Sequence, residues 1–120
     1  GGPDTLMRVM VTIRHIADGG GHPQMPYARP LRDVNSTLNE IRTRYNKDQL
    51  LRIYYFVDRQ KDALILLNYL IKPDGERLPA AYQGVKRKRI AKEIENSIKT
   101  AISFQELYPN NHTEYEPLSL

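Results

Sequence analysis

The residues best placed to do chemistry in this 120-residue chain are cations spread over alternating, strand-like segments. Arg42 and Arg44 fall on one side of the segment Leu38–Tyr45, because side chains two apart in a strand point the same way. Arg52 belongs to the next such segment, where a hairpin closing near Lys47 brings it alongside them. Lys72 ends a third segment, Arg77 follows in a loop, and Tyr82 opens a helix. Arginine in the middle of a sheet face has to find water, an acid or a ligand. The ordinary outcome is a solvated face on which these arginines pair with Glu40, Asp48 or Glu76.

Charge distribution gives the cations a context. The formal charge is only +4, but residues 29–92 carry 15 Lys and Arg against 7 Asp and Glu. The 28 residues before them are neutral, and residues 93–120 hold one Lys and five Glu. A basic middle segment is what a protein that meets phosphates would show. The chain has no Cys, which excludes disulfide scaffolds, thiolate metal sites and Cys nucleophiles. Its longest apolar run, Ala63–Leu67, is far too short for a bilayer span. No basic stretch followed by an apolar one opens the chain. The expectation is a soluble cytoplasmic domain.

These side chains need elements to hold them. Asp4 or Thr5 can cap a first helix, in which Leu6, Val9, Met10, Ile13, Ile16 and Ala17 recur at helical spacing. Gly19-Gly20-Gly21 ends it, and His22 to Leu31, with three prolines, reads as an extended connection. Three strands are predicted next, at Leu38–Tyr45, Leu50–Val57 and Ala63–Ile71. On the second, Arg52, Tyr54 and Phe56 face one way and Ile53, Tyr55 and Val57 the other. Connections this short make an antiparallel meander. The third strand is apolar on both faces, which predicts a central position. A second helix is expected from about Ala80 to Phe104, with residues 105–120 as a polar tail beyond a single domain spanning 1–104. That helix carries Lys86-Arg87-Lys88-Arg89 early and Glu93 and Glu95 late, against the helix dipole.

Several kinds of site are missing. Gly19–Gly21 follows a helix, whereas phosphate-cradling loops place their glycines between strand and helix. His15, His22 and His112 lie on separate segments without ligand spacing. Neither a Ser-His-Asp set nor a carboxylate pair stands out.

Taken in order, the segments resemble the RelE/HigB-like toxins of bacterial toxin–antitoxin modules, in their phage-derived HigB-like branch. The resemblance rests on Met25-Pro26-Tyr27-Ala28-Arg29-Pro30-Leu31, Leu38-Asn39-Glu40-Ile41-Arg42, Arg52-Ile53-Tyr54-Tyr55-Phe56 and Leu64-Ile65-Leu66-Leu67-Asn68-Tyr69-Leu70-Ile71-Lys72, and it covers roughly residues 6–100. It implies an α+β fold, with an N-terminal helix packed on an antiparallel meander and a C-terminal helix.

The implied activity is ribosome-dependent cleavage of mRNA, without cofactor or metal, by attack of the ribose 2′-hydroxyl on the adjacent phosphate. Such chemistry needs a proton acceptor, cations for the charge developing on phosphate, and a proton donor for the leaving 5′-oxygen. The resemblance assigns catalytic roles to Arg42, Arg52, Lys72 and Tyr82. It makes Arg44, Asn68, Arg77, Lys86 and Arg87 the RNA contacts. The two arginines would clamp phosphate, a task their planar fork suits. The expected partners are a helix-turn-helix antitoxin, the ribosome and mRNA, with no membrane.

The chain departs from the pattern in three places. Asn68 stands where the branch usually has His, and Pro73 where a second Lys is common. The strand and helix that normally open the family have no counterpart in the sequence given, whether through a trimmed start or through divergence, and a missing strand would expose a sheet edge that the acidic C-terminal stretch is available to cover. Two rival readings follow: a toxin of this fold acting on gyrase by protein contact, as in the ParE branch, and a basic nucleic-acid-binding module without catalysis.

Overall fold

The alternation along each strand sorts side chains onto two faces of one sheet, and each face receives one helix. The computed structural model describes residues 3–22, 28–31, 37–73 and 80–118. The elements are α1 (Pro3–Asp18), β1 (Ala28–Pro30), β2 (Asn39–Asn46), β3 (Gln49–Asp58), β4 (Ala63–Pro73) and α2 (Ala80–Asn111), followed by a 3-10 turn at His112–Glu114. The fold is α+β, with the strands in the order β1-β2-β3-β4 and every pairing antiparallel.

One face holds Ile41 of β2 with Leu51, Ile53 and Tyr55 of β3, packed on Val9, Ile13 and Ile16 of α1. Leu6 and Ala17, expected on the apolar stripe of α1, are exposed, so the buried side centres on Val9, Ile13 and Ile16. Thr5 does not cap the helix, which starts at Pro3; its hydroxyl donates to the Tyr45 carbonyl at 3.1 Å and ties α1 to the end of β2. Gly20 and Gly21 carry the helix exit at φ of +80° and +79°. At Gly21 a Cβ would also lie 2.5 Å from a Val57 methyl, so only glycine fits.

Leu38 and Tyr54 lie on the opposite face, packed on Ala101, Ile98 and Ile102 of α2. A helix of 32 residues is roughly 48 Å long, which matches the 49 Å longest extent of the molecule. The predicted helix stops at Phe104, but α2 continues to Asn111 because Tyr108 gives its last turns an anchor. The Tyr108 ring stacks edge-on against Phe56 at 5.1 Å, and its hydroxyl donates to Asp58 Oδ2 at 2.8 Å.

Two further differences from the sequence reading have simple causes. The connection before β2 contains a short strand, β1, hidden by its prolines; such a strand survives at a sheet edge, where fewer N–H donors are required. β4 is not central but the outer strand. Only one of its faces is covered, by α2; the apolar residues of the other face lie beyond α1 and line an open groove, so two-sided apolarity here does not signal a strand neighbour on each side.

Candidate functional site

The β2–β3 register places Arg42 directly opposite Arg52, with Glu40 opposite Tyr54 and Arg44 opposite Leu50. The β3–β4 register then sets Asn68 opposite Tyr54 and Lys72 opposite Leu50. Residues paired in this way share a face, and this is the face that α2 covers. The hairpin therefore brings Arg42, Arg44, Arg52, Asn68 and Lys72 onto one surface.

They are not equally accessible. The Arg52 side chain is 11 % exposed and Glu40 is 1 % exposed, with Arg52 Nε and Glu40 Oε2 3.7 Å apart. That separation is an ion pair but too long for a hydrogen bond. Arg29 of β1 reaches the other Glu40 oxygen, Oε1, at 3.3 Å. Burial lowers the affinity of Arg52 for its proton; Glu40 opposes this effect and Arg42 adds to it. Arg52 Nε and Nη1, Glu40 Oε2 and Asn68 Oδ1 are buried without hydrogen-bond partners. Arg42 and Arg44 are half-buried.

α2 is latched over this layer by Ser97. The Ser97 and Tyr54 hydroxyls lie 2.7 Å apart, and Asn68 Nδ2 donates to the Ser97 carbonyl at 3.1 Å. Burial raises the Tyr54 pKa against the opposing effect of the Ser97 hydrogen bond. One turn earlier, Glu93 pairs with Lys72. Two residues that the resemblance implicates, Asn68 as an RNA contact and Lys72 as a catalytic residue, are thus engaged by the helix itself.

The other predicted residues lie elsewhere. Lys86 and Arg87 are exposed on the first half of α2. Tyr82 falls in the first turn of α2, while Arg77 lies outside the described residues. Among the described residues no three His, Asp or Glu side chains form a set able to hold a metal ion.

Sequence reading missed Arg29 and Ser97. Arg29 is betrayed only by its pairing with Glu40 across a three-residue strand. Ser97 carries a signal in retrospect, a hydroxyl on the apolar stripe between Ile94 and Ile98. No helix is long and apolar enough to cross a membrane among the described residues. Comparison of the chain with protein-family models, with curated proteins and with solved structures finds no match.

Proposed function

We propose that this chain is a RelE/HigB-like toxin that cuts mRNA at the ribosome in the cytoplasm and is neutralised by a helix-turn-helix antitoxin. The observation that carries the reading is the cross-strand pair Arg42 and Arg52, continued along the same face by Arg44 and Lys72. A folded protein gains nothing from like charges set directly opposite one another. With Arg52 already paired to Glu40, an anion beside Arg42 and Arg44 would turn that cost into binding.

In the proposed reaction the ribose 2′-oxygen attacks the neighbouring phosphorus while the bond from phosphorus to the 5′-oxygen breaks. The 2′-proton passes to a base and the 5′-oxygen gains a proton, leaving a 2′,3′-cyclic phosphate and a 5′-hydroxyl. Arg42 and Arg44 stabilise the negative charge on the non-bridging oxygens. Arg52, held by Glu40, fixes the electrostatics of the face from beneath. In this reading Tyr82 takes part in proton transfer, and Lys72 adds positive charge beside the phosphate once its pairing with Glu93 opens. Lys86 and Arg87 extend the cationic track along α2.

A non-catalytic RNA-binding module is the second reading. It is favoured by the engagement of Asn68 with Ser97 and of Lys72 with Glu93. The deciding experiment is inducible expression with mapping of mRNA 5′ ends, with and without translation, for the native chain and for Arg42→Ala and Lys72→Ala. Translation-dependent cuts that both substitutions abolish support the nuclease. RNA binding without cuts supports the module. Growth arrest with intact mRNA and blocked DNA supercoiling overturns both in favour of a gyrase-directed toxin.

A further inference from the structure

A second surface lies on the other side of the sheet, where α1 leaves it uncovered. α1 packs mainly on β2. Beyond it, Leu51, Ile53, Leu66 and Ile71 floor a groove of about 920 Å³ walled by Leu6 and Val9. Its rim is apolar and open: Leu6 is 64 % exposed and Tyr69 67 %. The groove runs beside β4, the outermost strand of the described sheet. An exposed edge of this kind invites pairing with another chain unless charge, proline or a covering segment blocks it. Within β4 the sole charge is Lys72, near its end.

The chain's own C-terminal segment reaches this place. Tyr115 stacks on Tyr108 with ring centroids 5.1 Å apart, on the side of the sheet that α2 covers. Leu118 lines the groove on the opposite side, together with Leu67 and Asn68 of β4. Three residues span roughly 10 Å at most, so the segment passes straight across the β4 edge. Leu118, 51 % exposed, is half-buried where it lines the groove. Pro117 has no N–H to offer a strand ladder, and Glu116 brings a charge to the edge.

We propose that Tyr115–Leu118 is a strap: the groove is the docking site of this segment, and the strap keeps the β4 edge from pairing with a second copy of the chain. The Tyr108–Asp58 contact is the post to which it is tied. The grip is a single leucine rather than a strand pairing, so the strap can lift without disturbing the sheet. The proposal does not depend on any activity toward RNA.

The test compares the full chain with Leu118→Asp and with a chain ending at Tyr115, using fluorescence of the apolar dye ANS and sedimentation velocity over a range of micromolar concentrations. The full chain is expected to remain monomeric and to bind less dye than either altered chain. Both altered chains should bind several-fold more dye and self-associate, and adding Tyr69→Lys should return them to monomers. Far-UV circular dichroism identifies a shortened chain that fails to fold, in which case Leu118→Asp, altering one half-exposed side chain, decides. The proposal is overturned if the altered chains match the full chain in dye binding and mass, or if the full chain already self-associates as strongly as they do.

Discussion

Arg42 and Arg52 are cross-strand partners on one face of the sheet, yet among the described residues it is Arg52, and not Arg42, that is held by an acid. Glu40 lies beneath α2 between Arg52 and Arg29, so the pair of arginines divides into one buried structural cation and one reachable cation. Glu40→Gln keeps the shape of the side chain and removes its charge. It leaves the Arg52 guanidinium buried without compensation, and about 3 kcal/mol of stability should be lost. Urea unfolding checks this as a lower midpoint with an unchanged slope. Combining Glu40→Gln with Arg52→Met should recover most of the loss.

Arg42→Ala should leave stability within about 0.5 kcal/mol of the native chain, because the substitution also removes the repulsion on Arg52. Its effect should fall on RNA. If Arg42 contacts a phosphate, the slope of log affinity against log salt for a single strand should fall by about 0.7. Titrations of a labelled oligonucleotide at several salt concentrations measure this, and an unchanged slope would remove Arg42 from the interface.

Ser97→Ala should cost about 1–2 kcal/mol, because it strips the Tyr54 hydroxyl of its partner in a buried site. Tyr54→Phe in that background should then be nearly neutral, giving a strongly non-additive double-mutant cycle. Additive losses would mean that the hydroxyl pair contributes nothing to holding α2 on the sheet.

The alkaline limit of stability should be set by buried tyrosines. Burial pushes the Tyr55 phenol up to about 12 while its hydroxyl donates to the Gly21 carbonyl at 3.1 Å. An unfolded tyrosine titrates near pH 10, so above that pH the unfolded state gives up its proton first. The contribution, on the order of 2 kcal/mol, is fully present below about pH 10 and is lost as the pH rises toward 12. Tyr108, raised to about 12 by burial and by the Asp58 carboxylate, acts in the same direction. Unfolding free energies measured across this range should fall steadily in the native chain and less steeply in Tyr55→Phe.

Much of the candidate site was legible because strand alternation is a local rule. Arg42, Arg44, Arg52 and Tyr54 could be placed on one face from their spacing, and the short link at Lys47-Asp48 fixed which strand met which. The same local rule fails at β4, where two-sided apolarity predicts a central strand. It failed again after Phe104, where polar residues and Pro109 hid the buried ring of Tyr108.

The amino-acid order alone determined the helices, the meander, the two faces and the gathering of cations on one of them. These features arise from contacts between near neighbours and from tight turns. The tertiary structure alone decided which arginine is buried, that Asn68 and Lys72 are occupied by α2, and that the C-terminal segment crosses the outer strand. Each of those outcomes depends on where a distant helix comes to rest. Glu40 and Arg52 find each other within the sheet, whereas Tyr54, Asn68 and Lys72 meet Ser97 and Glu93 only because α2 packs over that face.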